Sequence, residues 1–425
     1  MTTFSATRWP LSAAQQGIWS AQQLEPDSPA HTVAEYVDIS GPLRLPEFEA
    51  AAYQAVAEAE TLHTRFVEDG GQVWQQLLPA ESWRLRLIDV SGHGDPVGAA
   101  LDWMRTDLAR PVDLTRGPLF GQALFALSPN RFLWYHRAHH LALDGFGLFL
   151  LNRRVSELYS ALVSGTGTGG EPFDPLRPVF EQDSAYLGSR GHERDQRFWT
   201  QRFADAPIPV TLAGRGAPAG ALPLRRSTAL SPSVMDGWTD AAQRCGTSWA
   251  TVVTATVATY LRHITGAGEV VLGLPRLCRR RSLSLNVPCS AANVVPLRVR
   301  TPPGAGLHEL SRAVADEVLA VWPHERYRSE WLRAELHPDT PTRRLHGPVV
   351  SVNPIGYELS FGGHRGTARP LSRGAVDDLS ITVQGGDIGT GPRVDLEANP
   401  ALYSADDLTV HMRALLDLLD TAADC

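Results

Sequence analysis

One stretch of the chain limits what it can fold into more than any other. Ser164–Pro175 reads SGTGTGGEPFDP. Glycine, threonine and proline crowd out any apolar period there, so the segment reads as a linker or domain-edge loop. It directly follows Phe146–Val163 (FGLFLLNRRVSELYSALV), whose apolar residues recur at helical spacing. A single hydrophobic core stops growing near roughly 250–300 residues, and the chain has 425. Two domains are therefore expected, 1–175 and 176–425. A second Gly/Pro stretch, Ala213–Pro223, reads as a loop inside the second half.

Both halves mix helices and strands, so the fold class is α/β or α+β. In the first half, Pro46–Glu60 reads as a helix opened by proline. Trp83–Val90 alternates as a strand, and Leu119–Leu127 and Arg131–Tyr135 form a strand pair across Ser128-Pro129-Asn130. His136–Gly145 is then a loop leading into the helix Phe146–Val163. In the second half a long helix, Met235–Ile264, is interrupted at Gly246–Ser248. Strands are expected at Glu269–Leu274, Val294–Val299, Pro348–Asn353 and Leu379–Gln384, and a last helix at Ala405–Ala423.

Composition removes several classes. Hydrophobic residues make up 43% and charged residues 20%, as in a globular protein and not a disordered one. The net charge of −7 disfavours a general nucleic-acid binder. The four cysteines form no CxxC pair and read as reduced thiols. No signal peptide and no apolar run of membrane-spanning length is read, so a cytoplasmic protein without membrane partners is expected.

The chemistry concentrates in His139-His140-Leu141-Ala142-Leu143-Asp144-Gly145. Paired histidines at a strand end, an acid four residues on and a glycine beside it suit proton exchange near neutral pH. A zinc site needs three or four ligands at recognisable spacing, and none completes the set around His140 and Asp144. A serine hydrolase needs a GxSxG elbow, which the sequence lacks.

HHLALDG resembles the HHxxxDG pattern of condensation domains of nonribosomal peptide synthetases. Other segments fit that family in order: LSAAQQGIW (Leu11–Trp19), TLHTRF (Thr61–Phe66), a stretch ending in QRFW at Trp199, VLGLPRLCR (Val271–Arg279), NVVPLR (Asn293–Arg298) and GPVVSVN (Gly347–Asn353). AAQQGIW, FVEDGGQVWQ and HHLALDGF look closest to the first condensation domain of enterobactin-type siderophore synthetases.

The resemblance implies two chloramphenicol-acetyltransferase-like lobes in a V arrangement around a tunnel. It implies amide formation: a carrier-tethered amine attacks a carrier-tethered acyl thioester. Both substrates ride on phosphopantetheine, and the domain binds no cofactor of its own. Donor and acceptor carrier proteins are the implied partners, with an adenylation domain downstream. By the same resemblance His140 is the catalytic histidine, as base or as positioning group, and His139 orients it. The Gly145 N–H faces the oxyanion. Asp144 is structural, paired with Arg279 across the lobe interface. Arg65 supports the site or packs, and Asn293 lines the tunnel or holds a turn. Arg279–Arg281 is a solvated loop or a carrier-protein contact. Epimerisation domains share HHxxxDG but add an EGHGRE-like motif, absent here; the DxxxxD of heterocyclisation domains is absent too. A degenerate domain that only recruits partners would not need the intact His139, His140, Asp144 and Gly145. A free-standing acyltransferase with a diffusible acceptor is the remaining expectation.

Overall fold

The computed structural model describes residues 8–79, 83–167, 169–219, 222–279, 283–337, 343–353, 358–386 and 391–424. In chain order the first elements are β1 (Arg8–Pro10), α1 (Ala13–Leu24), β2 (Thr32–Ser40), α2 (Leu45–Glu58), β3 (Thr64–Asp69), β4 (Gln72–Leu77), β5 (Arg86–Asp89) and α3 (Pro96–Leu108). Next come β6 (Phe120–Ser128), β7 (Arg131–His139), α4 (Gly145–Ser164), α5 (Arg177–Tyr186), α6 (Arg190–Arg202), β8 (Leu224–Ala229), α7 (Pro232–Cys245), α8 (Trp249–Thr265) and β9 (Glu269–Arg276). The chain closes with β10 (Asn293–Arg300), α9 (Leu307–Val321), α10 (Ser329–Leu336), β11 (Val349–Asn353), β12 (Glu358–Phe361), β13 (His364–Arg373), β14 (Leu379–Gln384), β15 (Arg393–Ala398) and α11 (Ala405–Asp424).

Two compact units result. The first takes Met1–Leu187, Arg279–Ala291 and Tyr357–Ala375; the second takes Gly188–Cys278, Ala292–Gly356 and Val376–Cys425. The expected division at 175/176 differs from this one in two ways. Helix α5 stays with the first unit, because Leu176 and Phe180 pack on Val287 and Cys289. Two later segments return to the first unit, and one of them supplies sheet strands. Apolar periodicity reads local elements well and says nothing about such a return.

The first unit's main sheet has the order β12-β13-β2-β7-β6-β5, antiparallel except for β5 with β6. A smaller sheet runs β1-β4-β3. In β7, alternate residues Phe132, Trp134 and Ala138 enter a core with Phe48, Val56, Leu151, Val155 and Phe361. Burying each large side chain there contributes about 1.5–3 kcal/mol. The second unit's sheet has the order β10-β9-β11-β14-β15-β8, with β11 parallel to both β9 and β14. Val350, Ile381, Val383, Val394 and Leu396 form its core with Val253, Val257 and Leu261 of α8.

Several expected boundaries move for local reasons. The expected interruption of Met235–Ile264 at Gly246–Ser248 divides it into two helices: Gly246 adopts a left-handed φ of 66° that ends α7, and the Ser248 hydroxyl accepts the Thr251 N–H to start α8. Strand β7 continues through His136 to His139, because β2 pairs it along its whole length to Thr32. The loop before α4 is therefore only residues 140–144.

Candidate active site

Strand β7 ends at His139, opposite Thr32 of β2, and α4 begins at Gly145. Helix α4 forms where the sequence places Leu148, Leu151, Val155 and Leu158 on one face, all buried in the first core. Its N-cap is Asp144, whose Oδ1 accepts the Gly147 N–H at 2.8 Å. The strand and the helix are both fixed by the core, so the five residues between them are held at both ends.

Asp144 does far more than cap. Its carboxylate takes Arg279 Nη2 at 2.9 Å on Oδ1 and 3.0 Å on Oδ2, and the Ala291 N–H at 3.0 Å on Oδ2. Asp144 is 2% exposed and Arg279 1%. Arg279 also donates to the Val287 and Cys289 carbonyls at 2.9 and 2.7 Å, and its guanidinium lies 5.0 Å from the Phe146 ring centre. Burial alone would raise the Asp144 pKa. The Arg279 charge and the N–H groups of Ala291 and Gly147 outweigh that and hold it below the ordinary 3.8. A Cβ on Gly147 would lie 3.1 Å from the Cys289 carbonyl, so a small residue lets α4 approach this segment. Asp144 and Arg279 both belong to the first unit. Their pairing crosses no lobe boundary, contrary to the sequence expectation, because Arg279–Ala291 packs with the earlier half.

The two histidines have different surroundings. His139 is 2% exposed. Its Nδ1 accepts the Leu141 N–H at 3.2 Å, so Nε2 carries the hydrogen and donates to Gln22 Oε1 at 3.0 Å. Burial, then the nearby His31 and His140, lower its pKa to about 3, so it is neutral at physiological pH. His140 is half-buried. Its backbone N–H donates to the His31 carbonyl at 2.8 Å, and its Nε2 lies 3.1 Å from the Arg373 carbonyl at the end of β13. Burial lowers its pKa from 6.5; the Arg373 carbonyl, Asp144 and the Leu143 carbonyl oppose that without reversing it. The loop thus presents a neutral imidazole, the form that accepts a proton or orients an amine.

A family model for the condensation domain matches residues 5–425. The chain belongs to the condensation-domain family of nonribosomal peptide synthetases. This condensation domain is 43% identical over 416 residues to the dimodular nonribosomal peptide synthase of Bacillus subtilis, covering 98% of this chain and 18% of that protein. It is 44% identical to the isonitrile lipopeptide synthase of Streptomyces coeruleorubidus, covering 98% and 28%. It is 30% identical to enterobactin synthase component F of Escherichia coli O157:H7, covering 96% and 32%. The chain therefore spans less than a third of the length of these curated relatives. Among solved structures, the starter condensation domain of rhizomide synthetase in complex with C8-CoA is 36% identical with TM-score 0.92, covering 99% of this chain and 95% of that one. The first condensation domain of the calcium-dependent antibiotic synthetase, bound to a substrate analogue, is 34% identical with TM-score 0.93, covering 99% and 97%. The two mixed-sheet units correspond to the family's chloramphenicol-acetyltransferase-like lobes, and the family's reaction is acyl transfer to an amine, forming an amide.

The condensation domain's other expected site residues are spread more widely. Gly145 is exposed at the first position of α4. Arg65, on β3, donates through Nε and Nη2 to Gln76 Oε1 at 3.2 and 3.1 Å, and no ion pair to it occurs among the described residues. Asn293 belongs to the second unit and is 2% exposed. Its Nδ2 donates to the Glu325 and Tyr327 carbonyls, each at 2.9 Å, and its Oδ1 accepts the Ser329 N–H at 3.4 Å. Its amide is thus engaged by the backbone around the start of α10, which suits the turn-holding alternative better than the tunnel-lining one. Arg280 and Arg281 lie outside the described residues. Among those described, no three His, Cys, Asp or Glu side chains gather as a metal set, and no helix is long and apolar enough to cross a membrane.

The structure adds residues that the motifs do not name. Gln15 and Gln22 lie seven apart on α1 and are both buried; Gln15 donates to the Leu141 carbonyl at 2.8 Å, and Gln22 holds His139. Polar residues at a helical period on a buried face were the available sequence signal. The Cys289 and Ala291 backbone, which braces Asp144, and the Arg373 carbonyl carry no such signal.

Proposed function

We propose that this domain joins a carrier-tethered acyl donor to a carrier-tethered acceptor amine, with His140 acting on the amine. The neutral, half-buried imidazole, held on a loop braced at both ends, is the observation that carries this reading. The amine nitrogen attacks the thioester carbonyl; a C–N bond forms, the carbonyl electrons pass to oxygen, and the nitrogen becomes positively charged and must lose one of its protons. His140 accepts or orients that proton. The C–S bond then breaks and the proton ends on the departing phosphopantetheine thiol. The Gly145 N–H, at the positive end of α4, is suited to the oxyanion. Asp144 and Arg279 hold the loop. His139, hydrogen-bonded to Gln22, supports His140 and does not react.

The donor is read as an acyl group lacking an α-amine, as for a domain that starts a peptide. Similarity to a starter condensation domain and to a lipopeptide synthase supports this. Carrier proteins are the partners, an adenylation domain downstream fits the relatives' length, and the acceptor amino acid comes from the second carrier. A competition assay tests this reading. Donor carriers loaded with a fatty acyl, an aryl or an aminoacyl group are offered together with one aminoacyl acceptor carrier, and the products are weighed as released pantetheine adducts. Fatty acyl or aryl amides should dominate. A preference for the aminoacyl donor would overturn the starter reading. Exchange at the acceptor's α-carbon without acyl transfer would favour epimerisation instead.

A further inference from the structure

We infer that Gln22 of α1 is a positioning residue of this site: its side-chain amide clamps the segment 25–31 to the His139 ring and so sets the turn that carries His140. This rests on the reading that His140 is the acting histidine, but its first test does not depend on turnover.

Helix α1 buries Gln15, Trp19 and Gln22 along one face, and the Gln22 amide is 4% exposed near the helix end at Leu24. Its Nε2 donates to the carbonyls of Glu25, Pro26 and Ser28 at 2.9, 3.0 and 3.1 Å. Carbonyls only accept, so these three contacts fix which end of the amide is nitrogen. The amide oxygen is then the end that meets His139, 3.0 Å from its Nε2. That oxygen only accepts as well, so the His139 Nε2 carries a hydrogen. Across the ring, Nδ1 accepts the Leu141 N–H at 3.2 Å. Both nitrogens of His139 are thus committed, one to α1 and one to the backbone two residues on.

The ring becomes a fixed block inside the turn. The Ala142 and Leu143 N–H groups donate to the His139 carbonyl at 2.8 and 3.2 Å, while the Leu141 N–H goes to the ring. A proton added at Nδ1 would face the Leu141 N–H and break that bond. The ionisable groups that act on the ring are His31, ahead of β2 with its ring centre 6.4 Å away, and His140 in the loop; both oppose a charge there. Helix α1 brings the neutral Gln22. One of two adjacent histidines is thereby withdrawn from titration, and the other is left to exchange protons.

The clamp reaches His140 by a second route. The segment that Gln22 holds runs on to His31, whose carbonyl accepts the His140 N–H at 2.8 Å, and then to Thr32, opposite His139. Helix end, segment and loop therefore close a circuit on one side chain. The position needs donors for carbonyls and an acceptor for an imidazole in one uncharged group, which a primary amide supplies.

Long-range proton–nitrogen correlation on histidine-labelled full-length chain reads the His139 ring directly, with His139→Gln assigning the signal. The wild type should show the neutral Nε2–H form down to about pH 5. An Nδ1–H form, or titration of His139 above that pH, would overturn the inference. Gln22→Met, similar in size and without hydrogen bonds, should shift the His139 ring signals and lower kcat for condensation roughly tenfold with KM little changed, as small displacements of an acting group do. Gln22→Glu keeps an acceptor for Nε2–H, so it should recover most of that loss at pH 8. Its carboxylate should also raise the His139 midpoint by roughly 1–3 pH units and give kcat a new acid limb that follows it. Unchanged His139 signals in Gln22→Met, or equal losses of kcat in both variants at every pH, would overturn the positioning role. If Gln22→Glu does not fold, the wild-type spectrum and Gln22→Met decide. Absent condensation by the wild type with the His139 spectrum as expected would count against the proposed function and not against the clamp.

Discussion

His140 and Asp144 are four residues apart in one loop, and their surroundings treat them oppositely. Asp144 is charged, fully enclosed and matched by a guanidinium and backbone N–H groups. His140 is half-buried, pushed toward neutrality and held through one ring nitrogen. One end of the loop spends its chemistry on geometry, and the other keeps its chemistry available. A charge that is completely satisfied has nothing left for a substrate, so the acid of this motif anchors the loop, and His140 is the group proposed to act.

The widest separation between the two ends should come from their alanine variants. His140→Ala should lower condensation by about 10²–10⁴-fold, the usual worth of a positioned acid or base, with melting temperature unchanged. Arg279→Ala should do the reverse and cost stability first, by about 3–5 kcal/mol, because Asp144 is left buried and uncompensated; chemical denaturation measures it. A stable, folded but inactive Arg279→Ala would erase the distinction.

Acid should weaken both ends. Asp144 has a lowered folded pKa, so its contribution is present above the unfolded value of 3.8 and is lost as pH falls through the folded one. His139 and His140 also have lowered pKa values, so stability should begin to fall below 6.5. In melting curves, Asp144→Asn should be less stable than wild type at pH 7, with the gap narrowing below about pH 4. A constant gap would mean that charge is not what Asp144 supplies.

Asn293 supplies a further contrast from the second unit. Asn293→Ala should cost about 1–3 kcal/mol by leaving buried carbonyls unpaired, with KM little changed. A large KM rise at full stability would restore the tunnel-lining alternative. Arg65→Gln is expected to have the smallest effect, under about 1 kcal/mol, since its hydrogen bonds are to a neutral amide; a strong fall in kcat would make it part of the site.

The legible parts of this molecule were those written in local pattern. HHLALDG, the apolar period of α4 and the pairing of β6 with β7 can be read from neighbouring residues. Strands β12 and β13 could not, because their membership in the first unit's sheet depends on contacts across more than 300 residues of chain. A separation of 233 residues likewise hides the contact of His140 with the Arg373 carbonyl. A backbone carbonyl has no residue identity, and Gly374 looks like any turn glycine until the imidazole is placed against it. Asp144 and Arg279 could be named as partners through the family pattern, but not as members of one unit.

The most direct test of the account is the intact mass of an aminoacyl-loaded acceptor carrier protein after incubation with an acyl-loaded donor carrier and this domain. The account predicts that the acceptor gains the acyl mass with the wild-type chain and does not with an equally stable His140→Ala. An acceptor mass unchanged with wild type, or equally increased with His140→Ala, would contradict it.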